Sequence, residues 1–149
     1  MSDIIIRRFA PDDLLPVIDV EKNVYGSAAY LPLFLRQLVD LFPSLIWVAE
    51  ADSKVVGHIC GAVGEDSETG WLINVGVLAR YRRQGVGYRL MRQCADQLLA
   101  LGVARIIGTA EVENGPMIRL YERLGFREVG RGSDYYGDGR ERLIVEYIR

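Results

Sequence analysis

The segment from Asn74 to Gly87 combines glycines and arginines in an order that favours phosphate binding. An apolar strand-like run leads into arginines at positions 80, 82 and 83, then Gly85 and Gly87, and then at once an amphipathic helix pattern. Glycines let the backbone approach an anion, and the N–H groups of a first helical turn lie at the positive end of the helix dipole. The N–H groups of residues 84–88 are therefore predicted to bind a ligand with more than one phosphate. A plain strand-to-helix turn would use the same glycines, and the third glycine of the dinucleotide fingerprint is missing.

A second group of candidate binding and catalytic residues lies between positions 109 and 121. Asn114 precedes a helix pattern, where an asparagine can cap the helix or hydrogen-bond a ligand. Tyr121 lies on the apolar face of that helix, so both a core role and a site role are open. Glu111 and Glu113 share a strand face with Thr109, because side chains alternate along a strand. They are either bases that act through water or solvated charges at a strand end.

These side chains need a mixed α/β framework to bring them together. Hydrophobic periodicity and turn residues predict the order βααβββαβαββ within one domain, residues 1–149. The predicted strands cover residues 4–9, 45–51, 55–63, 71–78, 105–112, 127–131 and 141–148. The predicted helices cover residues 13–24, 31–41, 86–101 and 116–124. Asp13 is expected to cap the first helix, and Gly76 to mark a bulge or a close backbone approach in its strand.

Composition excludes several classes of protein. A net charge of −2 argues against a nucleic-acid-binding protein, and no apolar run approaches the ~20 residues that cross a bilayer. The N-terminal residues Met1 to Asp3 lack the basic and apolar segments of a signal peptide. Cys60 and Cys94 lack metal-ligand spacing and lie in apolar segments, so we expect two reduced core thiols and a cytoplasmic location.

Two motifs together resemble those of one enzyme family. Residues 82–87 fit the signature Arg/Gln-x-x-Gly-x-Gly/Ala, and Asn114 with residues 120–126 fits Asn-x5-Leu-Tyr-x-x-x-Gly-Phe, 27 residues beyond Gly87. At this spacing, and with this order of elements, the chain resembles the GCN5-related N-acetyltransferases. The resemblance implies a central twisted mixed sheet, flanked by helices, in which the fourth and fifth strands splay apart. It also implies acetyl-CoA as cosubstrate and no metal.

The same resemblance assigns roles to residues of the cofactor site. The pantetheine arm would insert between the splayed strands. The implied cofactor-binding residues are Val75, Val77, Arg82, Arg83, Gln84, Gly85, Val86, Gly87, Tyr88, Asn114 and Tyr121. Tyr121 resembles the family's general acid, which protonates the departing thiolate. The usual position of the base falls on Thr109, so Glu111 becomes the catalytic candidate, while His58 is expected to be a partly buried sheet residue.

The segment 133–141 resembles the Tyr-Tyr-x-Asp-Gly hairpin of N-terminal protein acetyltransferases of the ribosomal-protein-alanine type. That hairpin holds the backbone of the acceptor peptide. The implied acceptor-binding residues are Tyr25, Tyr30, Asn74, Tyr135 and Tyr136. The competing interpretation is a hairpin that turns at Asp138-Gly139, with its aromatic residues packed for stability.

The absence of a strong base favours one acceptor class. An α-amine with a pKa near 8 is roughly one-tenth neutral at pH 7, whereas a lysine amine near 10.4 is neutral in fewer than about one molecule in a thousand. We therefore expect acetyl transfer to the N-terminal α-amine of a protein or peptide, by a monomer or homodimer. The alternatives are a small amine such as a polyamine, amino sugar or amino acid, and a non-catalytic CoA-binding module. The acidic residues 65–68 with Glu111 and Glu113 would favour cationic acceptors.

Overall fold

The order of helices and strands agrees with the order predicted from the sequence. The computed structural model describes residues 3–149, so that Met1 and Ser2 of the N-terminal segment considered above lie outside the described residues. The strands are β1 (Ile4–Arg8), β2 (Ile46–Ala51), β3 (Lys54–Val63), β4 (Thr69–Val77), β5 (Arg105–Glu111), β6 (Arg127–Gly132) and β7 (Arg142–Ile148). The α-helices are α1 (Leu14–Tyr25), α2 (Pro32–Leu41), α3 (Val86–Ala100) and α4 (Gly115–Arg123). None of the described helices is long and apolar enough to cross a membrane.

The seven strands form one mixed sheet in the order β1-β2-β3-β4-β5-β7-β6. Only β4 and β5 run parallel, and they pair only where Thr69–Leu72 lies beside Arg105–Gly108. Beyond Leu72, β4 continues to Val77 alongside β3 but no longer pairs with β5. The predicted splay of the fourth and fifth strands is thus confirmed, and it opens a gap in the middle of the sheet.

Helices cover the two faces of the sheet in pairs. The core beneath α3 and α4 takes Ile59 from β3, whereas the core beneath α1 and α2 takes the next residue, Cys60. This alternation follows from the period of two in a strand. The apolar face predicted for α3 is buried except at Leu101, which lies just after the helix and is 52% exposed. Both cysteines are free and buried, and burial raises the pKa of Cys94 to about 12, in agreement with reduced core thiols.

Asp13 precedes α1 as predicted, but its side chain does not cap that helix. The carboxylate accepts a hydrogen bond from the backbone N–H of Ala10 at 2.7 Å and from two nitrogens of Arg7 at 2.7 and 2.9 Å. Burial alone would raise the pKa of Asp13, but these hydrogen bonds outweigh it and lower the pKa. The ion pair takes the carboxylate away from α1 and ties the end of β1 to the start of the helix.

Candidate active site

A cavity of about 590 Å³ lies at the splay between β4 and β5. Its size is in the usual range for small-molecule sites. Many of the residues predicted for the site line it, namely Tyr25, Tyr30, Asn74, Val75, Glu111, Asn114, Tyr121 and Tyr136. The structure adds Glu21, Arg140 and Arg142, to which sequence reasoning gave no role. The cavity thus brings together residues that lie far apart in the chain.

The turn between β4 and α3 has the geometry of an anion-binding loop. Gly85 caps the helix with φ 77°, and Arg83 before it has φ 62°, a conformation that favours glycine. No side chain caps α3, so the N–H groups of its first turn, residues 86–88, stay open. Val86 is buried, and its side chain belongs to the hydrophobic core. Binding of a phosphate by these groups stays a prediction.

The side chains around this turn are partly engaged with the protein. Arg82 Nε donates a hydrogen bond to the carbonyl of Val77 at 3.1 Å, and Gln84 Nε2 donates to the carbonyl of Arg80 at 3.2 Å. The guanidinium of Arg123 lies 4.3 Å from the ring centroid of Tyr88. These contacts hold the side chains of Arg82, Gln84 and Tyr88 against the protein, so the backbone N–H groups of the turn remain its predicted anion-binding element.

Two glycines serve packing in a way that the sequence did not indicate. A Cβ on Gly87 would lie 3.3 Å from Cδ1 of Leu120, so this glycine lets α4 approach α3. A Cβ on Gly76 would lie 3.3 Å from Nε2 of His58. The bulge expected at Gly76 is instead between Cys60 and Gly61 on the facing strand. Gly76 therefore makes room for a buried side chain.

The open edge of β4 presents backbone groups to the gap. The hydroxyl of Tyr25 donates a hydrogen bond to the carbonyl of Val75, and Arg82 holds that of Val77. Because the N–H and C=O of a strand residue point to the same side, the N–H groups of Val75 and Val77 also face the gap. Because Tyr25 and Arg82 occupy the two carbonyls, only the N–H groups of Val75 and Val77 are open to a ligand in this conformation.

Tyr121 is buried but remains part of the cavity wall. Its ring packs 5.1 Å from that of Phe126, and its hydroxyl lies so close to Gly108 that a Cβ there would overlap it. Within residues 3–149 no protein group hydrogen-bonds this hydroxyl, and burial raises its pKa well above the usual 10. Asn114 caps α4 by accepting a hydrogen bond from the N–H of Met117 at 3.2 Å. The capping role is confirmed, and the ligand role of Asn114 stays a prediction.

Glu21 is the site residue that sequence reasoning missed. It is 1% exposed and accepts hydrogen bonds from His58 Nε2 at 2.7 Å, Asn74 Nδ2 at 2.7 Å and the backbone N–H of Tyr30 at 2.9 Å. Burial raises the pKa of Glu21, but these hydrogen bonds together with the nearby His58 outweigh it and lower the pKa. The side chain is therefore an ionised carboxylate, and its two oxygens have room for one more donor besides these three.

A signal for Glu21 exists in the sequence. The buried side of α1 contains Val17 and Ile18, and Glu21 follows at the three- and four-residue spacing of one helix face. An acidic residue on an apolar helix face is a functional candidate, because burial of an unpaired carboxylate is costly. His58 was expected to be partly buried, but it is completely buried, and its Nδ1 has no partner in the described chain.

The predicted base Glu111 is held in an ion pair. Its carboxylate lies 2.9 Å from Nη1 of Arg140 and 4.0 Å from Nη1 of Arg142. Thr109, at the position where relatives often have a base, accepts a hydrogen bond from Arg142 Nη2 at 3.1 Å. Glu111 lines the cavity as predicted, but its engagement with arginine makes it a weaker candidate for the base than Glu21.

The segment between β6 and β7 is a nine-residue loop, not a two-residue turn at Asp138-Gly139. Its tyrosines face different spaces. Tyr136 lines the cavity and its hydroxyl lies 3.4 Å from Oγ1 of Thr109. Tyr135 packs on Gly132 and lines a separate groove, together with Glu65 and Asp66. The cavity wall thus contains Tyr136 but not Tyr135, whose contact with an acceptor stays a prediction, and the acidic residues 65–66 lie in the separate groove.

The residues present fit acetyl-CoA on structural grounds. The uncapped first turn of α3 supplies N–H donors suited to phosphate, and the gap beside β4 supplies N–H donors at the spacing of a strand. Tyr121 supplies an unpaired hydroxyl in the wall of the cavity that Glu21 also lines. Among the described residues no cluster of side chains could hold a metal ion.

Comparison with known proteins agrees with this geometry. The profile of the acetyltransferase (GNAT) family matches residues 14–126. An N-alpha-acetyltransferase of Sulfurisphaera tokodaii is 29% identical over 151 aligned positions, covering 94% of this chain and 90% of the relative. The ribosomal protein bS18-alanine N-acetyltransferase of Escherichia coli is 40% identical over 76 residues, covering 50% of this chain and 51% of the relative. The crystal structure of Ard1 from Thermoplasma volcanium shares the fold with a TM-score of 0.88, at 23% identity and 97% coverage of both chains. Since the family profile covers most of the sequence, the chain belongs to the acetyltransferase (GNAT) family and is an acetyl-CoA-dependent N-acetyltransferase.

Proposed function

We propose that this enzyme acetylates the N-terminal α-amine of a protein or peptide. The observation that carries the proposal is the ionised carboxylate of Glu21, buried in the same cavity as the Tyr121 hydroxyl. A carboxylate there attracts the ammonium form of an incoming amine and accepts a hydrogen bond from the neutral form that attacks. Tyrosines 25 and 30 from one side and Tyr136 from the other line the cavity around it.

The first turn of α3 and the N–H groups of Val75 and Val77 would hold acetyl-CoA. When bound, acetyl-CoA supplies an activated thioester. Tyr121 keeps its proton at neutral pH because burial raises its pKa, so it can donate that proton to the leaving sulfur. In this proposal the acid, Tyr121, lies on α4 and the carboxylate, Glu21, lies on α1, and both residues line one cavity.

The acid–base properties of the site favour an α-amine over a lysine side chain. The lowered pKa makes Glu21 a weak base, better suited to binding an amine than to deprotonating a lysine ammonium. An α-amine is already neutral in about a tenth of molecules at pH 7, so it needs little help. The names of the two relatives, an N-alpha-acetyltransferase and a ribosomal-protein-alanine N-acetyltransferase, support the same acceptor class.

Release of free thiol from acetyl-CoA, followed with matched acceptors, tests the proposal. One peptide has a free α-amine and no lysine; its partner has a blocked α-amine and one lysine. We expect turnover of the first at a kcat/KM at least tenfold above that of the second. Turnover of polyamines or amino sugars in preference to both peptides would reject the proposal in favour of a small-amine acetyltransferase.

A further inference from the structure

The guanidinium of Arg142 lines the cavity, and its one ion-pair partner among the described residues, Glu111, lies 4.0 Å away. Its side chain is 20% exposed and stacks 5.0 Å from the ring centroid of Tyr136. Nη2 donates a hydrogen bond to Oγ1 of Thr109, while Nε is buried and has no hydrogen-bond partner in the described chain. A buried donor without a partner is costly, and such groups in native proteins are concentrated at functional sites.

The carboxylates that line the same cavity are all engaged elsewhere. Glu21 accepts the three hydrogen bonds described above, and Asp138 accepts one from the backbone N–H of Arg140 at 3.0 Å. Glu111 pairs with Arg140 at 2.9 Å and lies 4.0 Å from Arg142, beyond hydrogen-bond distance. Within residues 3–149, no carboxylate therefore forms a hydrogen bond with the Arg142 guanidinium.

An arginine with no hydrogen-bonded carboxylate, beside the proposed amine-binding site, favours an acceptor that carries a negative group of its own. The planar guanidinium presents paired N–H donors that fit a carboxylate. We propose, resting on the proposed function, that Arg142 binds a carboxylate of the acceptor. The favoured acceptors are then N-terminal peptides with Asp or Glu at the first or second position. The expectation of cationic acceptors loses part of its basis, because Arg140 pairs with Glu111 and residues 65–66 lie in the separate groove.

The preference for an acceptor carboxylate can be measured with pairs of peptides that differ only in having a side-chain carboxylate or the matching amide. Four peptides carry Asp or Asn at the first position, or Asp or Asn at the second, and free aspartate is a fifth acceptor. One charge-assisted contact predicts a kcat/KM about 10- to 100-fold higher for the acid in at least one matched pair. The ratio of kcat/KM for the acid peptide to that for the amide peptide does not depend on the fraction of folded enzyme. This ratio should fall as the salt concentration is raised.

Variants connect the preference to Arg142. Arg142→Gln should bring the acid-to-amide ratio close to one, and Arg142→Lys should restore part of it. Arg131→Gln, which breaks an ion pair with Glu128 outside the cavity, should leave the ratio unchanged.

The outcomes separate this inference from the proposed function. Peptide turnover with equal rates for acid and amide, or a preference that persists in Arg142→Gln, would overturn the role of Arg142 and leave the proposed function intact. Turnover of free aspartate alone would keep the carboxylate contact but reject the peptide acceptor. Turnover of none of these acceptors would refute both.

Discussion

Replacing Glu21 by Gln tests whether an ionised carboxylate holds the acceptor side of the site together. The change keeps the size of the side chain and removes its charge. Glutamine offers one acceptor oxygen and an NH2 group to three donors that now point at a carboxylate. At least one buried donor is then left unpaired, at a cost of about 1–3 kcal/mol, and the bonds that remain each lose about 1 kcal/mol of charge assistance.

We expect the free energy of unfolding of Glu21→Gln to fall by about 3 kcal/mol, or roughly 6–12 °C in Tm for a chain of this length. Thermal denaturation followed by circular dichroism at pH 7 measures it. Asp40→Asn is a matched control, because it removes a carboxylate from an exposed ion pair with Arg36 and should change stability by less than about 0.5 kcal/mol. A decrease for Glu21→Gln no larger than that of the control would refute the reasoning.

The difference in stability between the native protein and Glu21→Gln should depend on pH. The pKa of Glu21 in the folded chain lies below its ordinary value of 4.5, so its stabilising effect is complete above pH 4.5 and is lost as the pH falls through the folded pKa. Glutamine does not titrate. The difference in stability between native protein and Glu21→Gln should therefore shrink below pH 4.5, and a difference that stays constant from pH 7 to pH 3 would contradict an ionised Glu21.

Substitutions at three further positions test the cofactor side. Tyr121→Phe should lower kcat about 10²-fold while affinity for acetyl-CoA, measured by calorimetry, stays within a few-fold; unchanged kcat would remove Tyr121 from the chemistry. Gly87→Asp should abolish acetyl-CoA binding in calorimetry, because it brings a negative charge to the first turn of α3. Gly87→Ala, which adds only a methyl group 3.3 Å from Leu120, should retain more affinity, and equal losses in the two variants would assign the effect to packing. Gly108→Ala should lower both stability, by about 1–3 kcal/mol, and kcat, because its methyl group would displace the Tyr121 hydroxyl; native values of Tm and kcat would contradict the observed packing.

The framework was predictable because local patterns determine it. The apolar spacing in residues 86–98 predicts the buried face of α3, and the motif ending at Gly87 marks where this helix begins. Each predicted boundary of a helix or strand lies within two residues of the observed one. Periodicity and turn chemistry act over a few residues, so they can be read directly from the sequence.

The acceptor side was less predictable because its contacts are distant in sequence. Glu21 meets His58 and Asn74 across 37 and 53 residues, and no local pattern reports such partners. For the same reason Gly76, which makes room for the His58 side chain, was expected to mark a bulge or a close backbone approach. The rings of Tyr135 and Tyr136 pack edge to face with centroids 4.9 Å apart but line different spaces, because the loop that carries them is longer than a tight turn.

The site of acetylation on a single peptide tests the central claim most directly. The substrate is a peptide with a free α-amine and one internal lysine, incubated with acetyl-CoA and the native enzyme, and the product is fragmented by mass spectrometry. The buried Glu21 and the absence of a strong base in the cavity predict that the acetyl group is on the α-amine. Acetyl groups on the lysine side chain, with the α-amine left free, would contradict it.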